Sequence, residues 1–103
     1  MTSQEFIARA DAVLSRLESL IRTPMDRRQE AVPDDLLLAA VRGVKTMREA
    51  VETGSLPRWT LPANRRGRSL TRLFADCFDH HLWPRTGKLI EEVEELENEY
   101  VTM

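Results

Sequence analysis

Apolar residues recur at helical spacing in four separate stretches of the chain, and each stretch predicts one α-helix. In the first, apolar positions follow at intervals of three and four, and Ile7, Leu14 and Ile21 lie seven residues apart. Thr2 begins a capping-box sequence, which is typical of a helix start. We expect this helix to end by Thr23, because the residue before a proline is disfavoured in the helical conformation.

The second stretch predicts a helix that begins at Pro33-Asp34-Asp35, with one of the two aspartates as its N-cap, and stops at Gly54. Its apolar stripe consists of Leu37, Val41, Val44, Met47 and Val51. Gly43 lies in the middle of this stretch, where glycine costs about 1 kcal/mol relative to alanine. A close helix crossing at Gly43 would explain its presence. Between the first two helices, residues 25 to 32 form a charged connection with room for one helical turn.

Residues 55 to 67 predict an ordered loop rather than a helix, because Pro57 and Pro62 interrupt helical hydrogen bonding. Ser69 is a suitable cap for a third helix, which we expect to continue until Pro84. Its expected apolar face comprises Leu70, Leu73, Phe74, Cys77, Phe78, His81 and Leu82.

The fourth stretch predicts a helix capped by Thr86, with a narrow apolar seam at intervals of four, three and four. The seam consists of Leu89, Val93, Leu96 and Tyr100. The remaining faces are expected to carry six glutamates to solvent, namely Glu91, Glu92, Glu94, Glu95, Glu97 and Glu99. Similar seams on the first and fourth helices make a homodimer plausible.

These elements predict an all-α fold: a small four-helix bundle in one domain, residues 1–103, with one long Pro/Arg/Trp-containing loop between the second and third helices. A three-helix core from which the last helix projects is the alternative. A net charge of −2 provides no overall attraction to nucleic acid or anionic membranes. One cysteine excludes an internal disulfide, and no apolar run is long enough to cross a bilayer or to resemble a signal peptide. We therefore expect a cytoplasmic protein.

The segment with the most unusual composition lies between residues 58 and 72; it is rich in arginine and contains no acidic residue. Its candidate partner-binding residues are Arg58, Trp59, Arg65, Arg66, Arg68 and Arg72. Arginines beside an aromatic residue can bind phosphates and stack on bases, and they are also typical of protein interfaces. A third interpretation is structural: the loop lies against the glutamate-rich fourth helix, in the same chain or in a second copy.

A second candidate cluster runs from Asp76 to His81. On a helix, Asp76 and His80 share one face and Cys77 and His81 share another, and each pair could contribute two metal ligands. No third ligand lies at a recognisable spacing. The simpler interpretation places Cys77 and His81 in the apolar face and makes Asp76 and His80 a surface pair.

In the fourth helix, the Glu-Glu-x-x-Glu spacing of Glu91, Glu92 and Glu95 resembles one magnesium-binding motif of the all-α nucleoside triphosphate pyrophosphohydrolases, the MazG-like group. The resemblance covers about nine residues. The resemblance implies a metal-dependent hydrolase. In our hypothesis of such an enzyme, Asp76 or Asp79 could add oxygen ligands to the three glutamates. That family also uses a second acidic pair on a later helix, and none follows here.

Taken together, the sequence favours a small non-enzymatic helical protein that binds another protein as an adaptor, regulator or accessory factor, with no cofactor and no catalytic residues. A nucleic-acid-binding protein that uses the basic 58–72 loop is the first alternative. A metal-dependent hydrolase that uses the Glu91/Glu92/Glu95 cluster is the second. Trp83 is expected to pack on the core, and Trp59 to lie in the contact surface.

Overall fold

A computed structural model describes residues 1–54 and 69–102. In these residues the chain forms four α-helices and no strand, which confirms the predicted all-α bundle. The elements are α1 (Ser3–Arg22), a 3-10 turn (Met25–Arg27), α2 (Asp34–Thr53), α3 (Ser69–Cys77) and α4 (Pro84–Thr102).

Helix α1 begins and ends where the sequence predicts. The Thr2 hydroxyl accepts a hydrogen bond from the Glu5 amide at 3.1 Å, which satisfies one of the unpaired amides of the first turn. After Arg22 the chain becomes extended at Thr23, as expected before a proline. The face turned to the core consists of Phe6, Ala10, Val13, Leu14 and Leu17.

Helix α2 contains both predicted glycine features. Gly54 ends the helix in the left-handed conformation, with φ of 69°, which glycine adopts without steric cost. Gly43 lies where α3 crosses α2, and a Cβ built at this position would approach a Leu70 methyl carbon to 2.4 Å. The predicted close crossing at Gly43 is therefore confirmed. The start of α2 differs from expectation, because Asp34 is already the first helical residue and Pro33 holds the cap position without a side-chain hydrogen bond.

The prediction that α3 continues to Pro84 is wrong. The helix stops at Cys77, and the Asp79 carboxylate accepts hydrogen bonds from the amides of His81 and Leu82 at 2.8 and 3.2 Å. This side-chain turn competes with helical hydrogen bonding and redirects the chain toward α4. As a result His81 and Leu82, which are expected in the apolar face, are exposed. Cys77, the last residue of α3, is also exposed although it is helical.

Interhelical ion pairs show that α1 runs antiparallel to both α2 and α4. The pairs are Asp11–Arg48 at 2.5 Å and Glu18–Lys45 at 3.5 Å between α1 and α2, and Arg9–Glu95 and Arg16–Glu92, both at 2.9 Å, between α1 and α4. The short α3 packs across α2 and α4. The three long helices therefore form the body of the bundle.

All four helices contribute to one hydrophobic core. Its completely or almost completely buried large side chains are Phe6, Leu17, Val32, Leu37, Val44, Phe74, Ile90, Val93 and Leu96. The seam predicted for the fourth helix thus faces this core, with Tyr100 packed at its edge. None of the helices in the described ranges is long and apolar enough to span a bilayer.

We expect Leu17→Ala to reduce the free energy of unfolding by about 2–5 kcal/mol, because Leu17 is fully buried and its truncation leaves a cavity. Val44→Ala, also at a fully buried position, removes less volume and should cost less. Denaturant titration followed by circular dichroism measures both. Leu82→Ala is the matched control, because Leu82 is 66% exposed and should change stability by no more than about 0.5 kcal/mol. Equal midpoints for Leu17→Ala and Leu82→Ala would contradict the core assignment.

Gly43→Ala should destabilise the protein although alanine is the better helix former. The new methyl group would meet the whole branched end of Leu70, which we expect to cost about 1–3 kcal/mol. A double-mutant cycle with Leu70→Ala tests the cause, since truncating Leu70 removes the clash and should make the two effects strongly non-additive. An additive cycle would show that the crossing does not explain Gly43.

Candidate functional site

The structure places one of the six predicted partner-binding residues. Arg72 is exposed on α3. The other five, which are Arg58, Trp59, Arg65, Arg66 and Arg68, lie outside the described residues. The ends of the predicted loop are described, and both lie beside α2: Gly54 closes its C-terminus, and Ser69 is followed by Leu70, which packs on Gly43.

A second arginine, not predicted as a site residue, belongs to the same region. Arg42 is exposed on α2, one position before the crossing glycine, and lines a shallow groove of about 360 Å³ with Ser69, Leu70 and Tyr100. Within residues 1–54 and 69–102, neither Arg42 nor Arg72 forms an ion pair. We call Arg42 and Arg72 the basic face. Helical spacing predicts that Arg42 is exposed, but only the α2–α3 crossing shows that it lies near the start of α3.

Glu97 lies at the bottom of this groove, and its prediction as a solvent-facing residue is wrong. It is 2% exposed, and its two carboxylate oxygens accept hydrogen bonds from the amides of Leu70 and Thr71, both at 2.9 Å. The carboxylate thus satisfies the free amides at the start of α3, where the helix dipole also favours negative charge. The sequence contained a signal: Glu97 lies four residues after Val93 and four before Val101, on the buried stripe of α4.

Most of the α4 glutamates have partners inside the fold. Glu92 and Glu95 pair with arginines of α1, Glu99 lies 3.9 Å from the amino group of Met1, and Glu97 caps α3. Glu94 is half-buried, and burial raises its pKa above the ordinary carboxyl value, as do the neighbouring charges of Glu91 and Glu97, whereas His80 lowers it. The expected uniformly solvated acidic face is therefore mostly a set of structural contacts.

The proposed metal ligands do not converge. Arg16 and Arg9 hold Glu92 and Glu95 against α1, so these carboxylates are not directed together with Glu91 toward one ion. No group of three or more His, Cys, Asp or Glu side chains suitable for a metal ion occurs in the described ranges. The helical pairing of Asp76 with His80 and of Cys77 with His81 is also lost, since α3 ends before either histidine.

The two histidines and Trp83 lie at the turn between α3 and α4. The rings of His80 and Trp83 both pack against Phe78, with centroid separations of 5.0 and 5.2 Å. Phe78 is buried and Trp83 is half-buried against the core. The expectation that Trp83 packs on the core is therefore confirmed.

The connection between α1 and α2 carries a buried arginine that holds two helix ends. Only 2% of the Arg28 side chain is exposed, and its guanidinium donates to the Asp34 carboxylate at 2.5 Å. It also donates to four backbone carbonyls at 2.9 to 3.3 Å, those of Leu20, Ile21, Thr23 and Val32. Three of these carbonyls lie at the C-terminus of α1, where backbone acceptors lack helical partners and a positive charge is favourable.

Glu30, two residues further on, holds the start of α4. Its carboxylate accepts hydrogen bonds from the Arg85 amide at 2.8 Å, the Thr86 amide at 2.7 Å and the Thr86 hydroxyl at 2.6 Å. Desolvation opposes its ionisation, but these hydrogen bonds and the Arg85 charge outweigh that effect and lower the pKa of Glu30 below 4.5. Thr86 was predicted to cap α4 itself. It lies inside the helix and donates to Glu30, so the cap comes from a distant part of the chain.

No protein-family model matches the sequence, and no curated protein or solved structure matches the chain. The interpretation of function therefore depends on the geometry described above.

Glu30→Gln should lower the melting temperature at neutral pH, because the neutral amide caps α4 less well than the carboxylate. We expect a loss of about 0.5–2 kcal/mol, the usual range for a cap. Since the folded-state pKa of Glu30 is lowered, its stabilisation is complete above 4.5 and is lost as the pH falls through the folded-state value. The difference in stability between wild type and variant should therefore shrink as the pH falls below 4.5.

Thermal melts at a series of pH values test this expectation, with Glu91→Gln as the control. Glu91 is exposed and forms no ion pair in the described residues, so its replacement should have little effect at any pH. If the difference in stability between wild type and Glu30→Gln is independent of pH, the carboxylate does not act as the cap.

Proposed function

We propose that this protein is a non-enzymatic binding module that recognises an acidic segment of another protein. The contact surface comprises the basic face, Arg42 and Arg72, together with the arginines of residues 58–68. The observation that carries the proposal is the position of Arg42 and Arg72: both are exposed on neighbouring helices, beside the point where the basic segment joins α3, and neither has an ionic partner among the described residues.

The distribution of charges supports this assignment. The basic residues between the long helices are already paired, since Arg9, Arg16, Lys45 and Arg48 each contact a carboxylate of a neighbouring helix. Those pairs align the bundle. The basic face differs because its charges contribute to no interhelical pair in the described part of the chain. Arginine favours planar bidentate contacts with carboxylates, which suits an acidic partner.

An internal partner for the basic segment is less well supported. If the loop lay against α4, that helix would need free carboxylates to pair with the arginines. Four of its glutamates, however, already have partners, namely Glu92, Glu95, Glu97 and Glu99. Glu91 and Glu94 remain, and burial raises the pKa of Glu94. The α4 surface therefore offers little unpaired negative charge to a neighbouring loop.

An acidic protein segment also fits better than nucleic acid. Nucleic acid is a long polyanion, and it would extend beyond the basic face to the acidic surfaces of a chain whose net charge is −2. A short acidic segment can remain on the basic face. We propose on the same grounds an adaptor or regulatory role in the cytoplasm. A second copy of the chain is one candidate partner, because α4 exposes Glu91.

Binding of a fluorescein-labelled oligoglutamate peptide, measured by fluorescence anisotropy at low salt, tests the proposal. Wild type should bind, and Arg42→Gln with Arg72→Gln should weaken binding at least about tenfold, since interface arginines often contribute 2 kcal/mol or more. Replacing Arg65, Arg66 and Arg68 together by alanine should have a similar effect. Both variants should melt close to wild type, because exposed charges contribute little to stability.

The matched control is Arg22→Gln with Lys88→Gln, which removes the same number of positive charges from exposed positions outside the basic face. This control should bind the peptide nearly as well as wild type. A single-stranded oligonucleotide of equal charge distinguishes the alternative function. If the oligonucleotide binds more tightly than the peptide, or if the control weakens peptide binding as much as the basic-face variant, the proposal is wrong.

A further inference from the structure

A second surface, away from the basic face, forms a cleft between the C-terminal half of α1, the 24–32 connection and the first turn of α4. Its volume is about 550 Å³, within the range of small-molecule binding sites. From α1, Ser15, Arg16 and Ser19 line the cleft, and Arg27, Gln29 and Arg85 line it from the connection and from α4. We call this space the α1–α4 cleft.

The cleft is positively charged. Arg27 is exposed and has no ion pair within residues 1–54 and 69–102, and Arg85 is exposed and tethered to the Gln29 side-chain oxygen at 2.5 Å. This tether limits the positions that the side chain adopts. The Arg85 guanidinium forms no ion pair within 4 Å in the described residues, and the nearby Glu30 carboxylate offsets its charge only in part. Two arginines that line one cleft can bind one oxyanion through several charge-assisted hydrogen bonds.

The acidic residue of the cleft does not cancel this charge. Glu30 directs its carboxylate at the start of α4, where it accepts three hydrogen bonds and offsets the positive end of the helix. Arg28, another lining residue, is likewise occupied by the C-terminus of α1 and by Asp34. The charges that remain for a ligand are those of Arg27 and Arg85.

The rest of the lining suits an organic ligand rather than a bare inorganic ion. Leu20 and Leu89 provide an apolar floor that continues into the hydrophobic core. Ser15 and Ser19 lie four residues apart on the same face of α1, and their hydroxyls have no hydrogen-bond partner among the described side chains. A ligand in the cleft would therefore meet two cations, two hydroxyls and an apolar surface.

We propose that the α1–α4 cleft binds a small organic anion, in which a phosphate or carboxylate group contacts Arg27 and Arg85 and an apolar group lies on Leu20 and Leu89. This site is independent of the basic face, so either can be present without the other. Together they would make the protein a binding module with a separate small-molecule site.

Isothermal titration with phenyl phosphate, benzoate, inorganic phosphate and benzyl alcohol tests both parts of the ligand. We expect phenyl phosphate or benzoate to bind, inorganic phosphate to bind at least about tenfold more weakly than phenyl phosphate, and benzyl alcohol not to bind. Arg27→Gln with Arg85→Gln should weaken binding of the organic anion at least about tenfold, because each charge-assisted hydrogen bond contributes about that factor. Ser19→Trp, which fills the cleft without changing its charge, should abolish binding.

Arg22→Gln with Lys88→Gln removes two exposed charges that line neither the cleft nor the groove at the basic face and should leave binding unchanged. Circular dichroism establishes that each variant is folded. The double arginine variant removes charge from the cleft, whereas Ser19→Trp fills it. If one of them fails to fold, the other still tests the proposal. The proposal is overturned if neither organic anion binds at millimolar concentration. It is also overturned if inorganic phosphate binds as well as phenyl phosphate, or if the cleft variants bind like wild type.

Discussion

Backbone groups at the ends of helices lack partners within their own helix, and satisfying them is the constraint on which this bundle depends. Three charged side chains outside the helices in question meet it, and two of them, Glu30 and Glu97, are distant in sequence. Arg28 covers the last carbonyls of α1, Glu30 covers the first amides of α4, and Glu97 covers those of α3. Arg28 and Glu30 lie in one short connection, so the end of α1 and the start of α4 are fixed by neighbouring residues. The helices are therefore positioned by their ends as well as by the hydrophobic seams between them.

This use of charge determines which parts of the surface remain available for binding. Four of the six α4 glutamates that might have formed an acidic binding surface are paired with α1, with α3 or with the amino group of Met1. Of the basic side chains without an ion pair in the described residues, Arg22 and Lys88 line neither candidate site. The others lie in two places, the basic face and the α1–α4 cleft. The first is open and lies next to further arginines in the sequence, which suits an acidic polypeptide. The second is concave with an apolar floor, which suits a small organic anion.

The local pattern of the sequence was sufficient for much of the fold. Hydrophobic periodicity located the helices, Thr2 and Gly54 marked helix ends, and Gly43 indicated a close crossing. Each of these features depends on residues close together in sequence, or on one residue whose chemistry is restrictive. The end of α3 was missed because one carboxylate, that of Asp79, outweighs an apolar pattern that continues beyond it.

The distant caps could not be predicted in the same way. Glu30 and Arg85 are 55 residues apart, and Glu97 and Leu70 are 27 apart, so only the packed structure brings them together. Glu97 occupied a position on the buried stripe of α4, but a glutamate there is also compatible with a solvated edge. The same limit applies to the candidate sites. The sequence identified Arg72, but neither the proximity of Arg42 to the start of α3 nor the α1–α4 cleft follows from spacing along the chain.

We propose that charges paired inside the fold are structural and that the unpaired arginines of the basic face bind the partner. Amide NMR spectra recorded while an oligoglutamate peptide is added test this claim across the whole molecule at once. The account predicts that chemical-shift changes concentrate around Arg42 and Arg72, and that the α1–α4 seam at Arg9 and Arg16 remains unperturbed. Changes concentrated at that seam, or a spectrum in which α3 does not respond, would contradict it.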